Sequence, residues 1–279
     1  MKRFALAASD PYQREASLAL DIADQAADLV VAMRESATRA VKHDGTIVTG
    51  ADLASAELIR KHLSVYFPDD AILTEEDSAE SDRLTRRRCW IIDPIDGTQQ
   101  FADGLDDYDI FIALAVAGLI EVAATVQPPT GTAMVATAES GLLIREGTSQ
   151  RQRRFGDQAA VPGMAPKVWV TGEVSLARLR PAIEALGGIV TIPNHAIGPR
   201  TFLEAPAAGV CLYVPREEAD LYEWDVAPLD IFMRAGGGWS SDARGQALQF
   251  NKADPCFPNG IVLATDSALG RRIVRALAG

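Results

Sequence analysis

Cysteine and histidine are scarce in this chain, three residues of each in 279. Cys89, Cys211 and Cys256 lie far apart and form no Cys-x-x-Cys pair. That argues against a disulfide framework or a zinc site and for a reducing, cytoplasmic setting. His43, His62 and His195 share no spacing that suggests a relay, so none is given a catalytic role. Long apolar runs are missing too. The longest candidate, residues 110–126, is broken by Gly118 and Glu121, so no membrane span is expected. The short run 4–8 after Lys2 and Arg3 meets Asp10-Pro11 too early for a signal peptide. Positive charge is in deficit: 27 Lys and Arg against 38 Asp and Glu leave a net charge of -11. Such a chain repels nucleic-acid polymers and anionic membranes. A small phosphorylated substrate stays open if metal ions supply local positive charge.

What is present suits a soluble globular protein, with 48% hydrophobic and 23% charged residues. Asp10-Pro11 is placed to start a helix, with Leu18, Ile22, Leu29, Val30 and Met33 at helical spacing. A polar loop or hairpin over 42–50 leads to a second helix over 52–66, with Leu53, Ile59 and Leu63 inward. Residues 71–74 and 89–92 read as strands, the second stopped by Asp93-Pro94, and the charged stretch 78–88 as a surface loop. Residues 110–116, 120–126 and 132–138 read as successive antiparallel strands, with 142–144 as a further one. The Arg-rich segment 147–163 is the best linker candidate, and alternating strands and helices follow it. The expected fold is α+β, a layered αβαβα sandwich with a large antiparallel sheet and a smaller C-terminal α/β half. The division is into lobes 1–150 and 151–279.

Four polar groups carry chemistry. Asp93-Pro94-Ile95-Asp96-Gly97-Thr98 sets two carboxylates three residues apart after an apolar strand. Pro94 stiffens the turn, so both side chains have little freedom and are able to face one point. A hard cation such as magnesium takes oxygen ligands of this kind, and the Ile95 carbonyl is a further candidate. Gly97 lets a ligand approach the backbone, and Thr98 opens a short helix whose free N–H groups suit phosphate. Alone, this Asp-x-x-Asp reads more readily as a strand-ending Asx turn. Glu75-Glu76-Asp77 ends another strand, and alone is a solvated turn. Trp224-Asp225 opens a helix over 226–235, with Gly236-Gly237-Gly238 after it, and alone Asp225 is a plain cap. Lys42-x-Asp44-x-Thr46-x-Val48-Thr49-x-x-Asp52 is alone a polar loop.

Together and in this order, the four groups resemble the motifs of the inositol monophosphatase superfamily over roughly residues 12–265. The resemblance implies magnesium-dependent hydrolysis of a small phosphate monoester, with two or three ions. Glu75, Asp93 and the Ile95 carbonyl would hold one ion. Asp93, Asp96 and Asp225 would hold another, with Asp93 shared. Most ligands then come from lobe 1–150, and Asp225 with substrate contacts from lobe 151–279. Gly97 and Thr98 would bind phosphate through N–H groups. Thr98 with Asp52, helped by Glu75, would orient and deprotonate water, and Glu76 would support the site from behind. Relatives of this kind are often homodimers, and lithium inhibition is expected by the same resemblance.

Departures from the pattern bear on the substrate. The stretch Glu139-Ser140-Gly141-Leu142-Leu143 and the stretch Gly198-Pro199-Arg200-Thr201 match only in part. Arg200 is a candidate contact for a second anionic group and Glu218 for a substrate hydroxyl. Ala219-Asp220-Leu221-Tyr222 resembles the bisphosphate nucleotidase branch. The expected order of substrates is inositol monophosphate, then adenosine 3'(2'),5'-bisphosphate, then another sugar or alcohol phosphate. Aspartyl-phosphate chemistry needs carboxylates two residues apart, and Asp93 and Asp96 are three apart. An inactive homologue that only binds phosphorylated ligands is the alternative of another class.

Overall fold

The computed structural model describes residues 4–35, 38–42, 46–76, 81–155, 167–171, 180, 184, 189–191, 209–213 and 221–278. Helix α1 (Gln13–Met33) is followed by the hairpin β1 (Arg39–Val41) and β2 (Ile47–Thr49) and by α2 (Gly50–Tyr66). A seven-stranded sheet comes next: β3 (Ala71–Thr74), β4 (Arg88–Asp96), β5 (Asp109–Val116), β6 (Leu119–Gln127), β7 (Thr132–Thr137), β8 (Gly141–Glu146) and β9 (Ser149–Arg153). They lie in chain order, antiparallel except that β3 runs parallel to β4. A 3-10 turn (Ser81–Thr85) joins β3 to β4, and α3 (Thr98–Ala102) follows β4. A second sheet has the order β11-β10-β12-β14-β13, from β10 (Lys167–Thr171), β11 (Ile189–Thr191), β12 (Gly209–Tyr213), β13 (Trp239–Asp242) and β14 (Ile261–Ala264). The remaining helices are α4 (Glu223–Ala235) and α5 (Ser267–Ala278).

Side-chain alternation in the large sheet builds two cores. Trp90, Ile92, Ile110, Ile112, Val122 and Ala124 face α1 and α2, whose buried Ala19, Ala23, Ile59 and Leu63 meet them. Cys89, Ile91, Ala113, Ala123 and Met134 face the other way, onto Val226, Leu229 and Met233 of α4. α4 also packs on β13 and β14, and α5 packs on those same strands. The layers therefore run αβαβα, as the pattern implied.

Local details differ from the sequence reading for physical reasons. Asp10 is not the cap of α1. It lies buried, with one oxygen on the Tyr12 N–H and the other taking the Thr137 and Ser140 hydroxyls, so it staples the N-terminal segment to the β7–β8 turn. Leu53 is 55% exposed, because the inward face of α2 is set by Ala51, Ser55, Ile59 and Leu63 at four-residue spacing. The segment read as a linker from 147 begins with β9, an exposed edge strand whose Arg and Gln side chains need no buried face. Pro94 does not stop the strand: β4 continues to Asp96.

Candidate active site

β4 pairs with β5 regularly up to Asp93↔Phe111 and resumes at Asp96↔Asp109, with a register shift between. β4 thus spends one more residue than its partner, a bulge. In a regular strand, residues three apart point to opposite faces. The extra residue cancels that alternation and brings the Asp93 and Asp96 side chains to one side. Asp93 continues the Cys89–Ile91 face, which looks toward α4. The Ile95 N–H donates to Asp93 Oδ1 at 3.0 Å, so an Asx turn does form here and fixes the carboxylate rather than replacing its function.

Asp225 arrives from the first turn of α4, where the Tyr222 N–H donates to its Oδ2 at 2.7 Å. One carboxylate oxygen from each of Asp93, Asp96 and Asp225 lies within 4.8 Å of the others. Asp93 is buried, and the other two are half-buried. Burial, then the charges of Glu75, Asp96, Asp225 and Asp52, push the Asp93 carboxyl well above its usual range. Burial and the charges of Asp109, Glu75 and Asp107 do the same to Asp96. Asp225 is raised by burial and by Asp96, against the Tyr222 N–H, which opposes the rise. Three carboxylates held this close demand either protons or a cation. An oxygen-only donor set of this kind fits a hard divalent ion.

A second cluster stands beside this trio. Thr49 caps α2 through a capping box: its N–H and hydroxyl both donate to Asp52 Oδ2, at 2.8 and 2.5 Å. The remaining oxygen, Asp52 Oδ1, lies 2.8 Å from Thr98 Oγ1, which also lies 3.0 Å from the Ile95 carbonyl. Ser55 Oγ donates to the Pro94 carbonyl at 3.0 Å and ties α2 to the bulge. Sequence reading missed Ser55. Its position one turn after Asp52 on the same helix face is the signal that was available. Gly97 precedes α3 with φ 92°, and a Cβ there would lie 2.8 Å from the Asp107 carbonyl, so only glycine fits this turn.

Glu75 and Glu76 follow β3, and Lys42 at the hairpin bridges them, with Nζ 2.8 Å from Glu75 Oε1 and 2.9 Å from Glu76 Oε1. Burial alone would lower the Lys42 pKa, but these two partners hold the ammonium above its usual range. Glu76 is raised by burial, against the pull of Lys42. Glu75 thus stands within electrostatic reach of the Asp trio, outside the 4.8 Å cluster, with its charge shared by Lys42, a pairing that no sequence spacing indicates. The Lys42 end of the hairpin motif is described, whereas Asp44 and Asp77 lie outside the described residues, as do Arg200, Glu218, His43 and His195. His62 is structural, with Nδ1 3.0 Å from the Leu58 carbonyl and its ring stacked on Tyr66.

Residues 12–278 match the inositol monophosphatase family. The chain belongs to that family. It is 39% identical over 265 residues to a histidinol-phosphatase of Chlorobaculum parvum, across 93% of this chain and 95% of that one. It is 28% identical over 270 residues to a 3'-phosphoadenosine 5'-phosphate phosphatase of Mycobacterium leprae, across 92% and 93%. The CysQ structure from Bacteroides thetaiotaomicron shares the fold, with a TM-score of 0.74 at 20% identity over 92% of this chain and 99% of that chain. As an inositol monophosphatase family member, the chain is a phosphatase that hydrolyses phosphate monoesters. The family is metal-dependent, and the acidic trio is the matching feature here. Among the described residues, no helix is long and apolar enough to cross a membrane.

Proposed function

We propose that the chain cleaves a small phosphate monoester with magnesium as cofactor, two or three ions, and that its own side chains orient and deprotonate the attacking water. The observation that carries this reading is the meeting of Asp93, Asp96 and Asp225 within 4.8 Å. Glu75, Asp93 and the Ile95 carbonyl would hold one ion; Asp93, Asp96 and Asp225 would hold a second. Bound magnesium neutralises these carboxylates, acidifies water and offsets charge on the leaving oxygen. Residues 1–150 form the lobe with most of these ligands, and 151–279 the lobe that adds Asp225. With Glu75 on an ion, Lys42 would still pair with Glu76.

The proton path uses groups already in line. Thr98 Oγ1 lies 2.8 Å from Asp52 Oδ1, and the other Asp52 oxygen is locked by Thr49. As Thr98 Oγ1 takes a proton from water, it passes its own to Asp52 Oδ1. The N–H groups of Gly97 and Thr98, where α3 begins, take phosphate oxygens. Thr98→Ala is expected to lower kcat by about a hundredfold, since positioned acid–base groups contribute roughly that much or more. KM should change little. A kcat within twofold of the parent would remove Thr98 from the proton path.

For the substrate we place histidinol phosphate first, ahead of inositol monophosphate and adenosine bisphosphate. The 39% identity to a histidinol-phosphatase supports this order, against 28% to the adenosine-phosphate enzyme. Net charge of -11 adds to it, because an acidic protein repels an ester whose amine and imidazole offset its phosphate charge less than it repels esters without such groups. The test is phosphate release from the three esters under one magnesium concentration. Histidinol phosphate should give the highest kcat/KM by about tenfold or more, a preference of roughly 1.4 kcal/mol in transition-state binding. A preference for either other ester overturns the substrate assignment. No turnover of any phosphomonoester would favour a ligand-binding homologue instead.

A further inference from the structure

The metal-site helix is held by a buried network that never reaches the site. Glu223, two residues before Asp225, is fully buried. Its carboxylate takes the N–H of Asn251 at 2.6 Å on Oε2 and the N–H of Lys252 at 2.9 Å on Oε1. The Glu223 N–H donates to the Pro255 carbonyl, and the Phe257 N–H to the Leu221 carbonyl. Tyr222 and Cys256 form a β-bridge. Residues 251–257 are thus a strap across the first turn of α4, gripped by both the backbone and the side chain of Glu223.

The strap is anchored at its other side by Arg83, which is 4% exposed. Arg83 Nη1 donates to Asn251 Oδ1 at 2.8 Å, and Asn251 Nδ2 returns a bond to the Arg83 carbonyl at 2.9 Å. Asn251 has φ 57°, a left-handed conformation that asparagine tolerates better than most side chains. Arg83 sits in the 3-10 turn that follows the Glu75–Glu76 segment. One chain of hydrogen bonds therefore links the turn behind Glu75 to the turn that presents Asp225.

We propose that Glu223, through Asn251 and Arg83, is a positioning residue that sets where Asp225 meets Asp93 and Asp96, and so sets the affinity of the site for its divalent ion. This rests on the metal-dependent reading above. A side chain that orients ligands from behind commonly changes metal affinity by about 10–100-fold when lost. Removing the Glu223 carboxylate also takes the acceptors from two part-buried N–H groups and loosens the strap.

The experiment is Mn2+ binding to the full chain, read by electron paramagnetic resonance and calorimetry, on the parent, Glu223→Gln and Asn251→Gly. Asn251→Gly keeps the left-handed backbone and removes only the Arg83 bonds, so it carries the test even if Glu223→Gln does not fold. Both variants are expected to weaken Mn2+ binding, Glu223→Gln by about 10–100-fold and Asn251→Gly by about tenfold. kcat at saturating metal should stay within a few-fold of the parent, so that the loss appears in the metal concentration needed for half activity. Variants that melt earlier yet bind Mn2+ like the parent overturn the inference and leave a purely structural role. A parent chain that binds no Mn2+ sinks the metal reading itself, which is a different result.

Discussion

Asp93→Asn is expected to lower kcat by about a thousandfold or more with the fold intact. Losses of that size are typical when a group aimed at developing charge is removed. Asp93 is the carboxylate assigned to both ions, so its loss weakens two sites together. An amide oxygen still accepts the Ile95 N–H, so the bulge in β4 should persist. Asp93 is raised by burial and by four neighbouring carboxylates, and the neutral amide removes that burden. The metal-free variant should therefore melt at the same temperature as the metal-free parent or above it. Circular dichroism and Mg-dependent phosphate release measure the two halves. Near-normal turnover would show that Asp93 is no metal ligand.

Which parts of this site were legible depends on how local the information is. Asp93, Asp96, Gly97 and Thr98 fall in six contiguous residues, with the bulge arranging the two carboxylates and the turn at Gly97 starting α3 at Thr98. Asp52 entered through the family resemblance alone, although the three-residue capping-box spacing from Thr49 is a local signal that was available. The large sheet was legible because its strands lie in chain order and are joined by short turns. Arg83 was not: the stretch 78–88 reads as a solvated charge run, and its partner Asn251 is 168 residues away. No spacing rule encodes a contact between residues so far apart in the chain. Glu223 failed for a related reason. An acidic residue in the first turn of a helix has a sufficient local explanation in the helix dipole, which hides its grip on the strap. Ala51 in place of Leu53 on the buried face of α2 shows a weaker form of the problem. The helix packs closely there through small residues that carry little hydrophobic signal.

Removing the metal is expected to abolish phosphate release, and magnesium should restore it. It should also reshape the stability of the protein in a way that separates a true cation site from an incidental acidic cluster. Asp93, Asp96 and Asp225 all have folded-state pKa values above their ordinary ones. The folded chain without metal thus binds more protons than the unfolded chain between the ordinary carboxylate value, about 3.9, and the raised ones. Stability must then fall as pH rises through that window and recover as pH falls back through it. A divalent ion replaces those protons, so magnesium should raise Tm most at the upper end of the window and least at the lower end. At a hundred times Kd, one site contributes about 2.7 kcal/mol. For a chain of this size that is roughly 5–10 °C in Tm, at about 2–4 °C per kcal/mol. Thermal melts with chelator and with magnesium, at several pH values, read the effect directly. A magnesium shift independent of pH would mean that the ion displaces no protons and binds somewhere other than this trio.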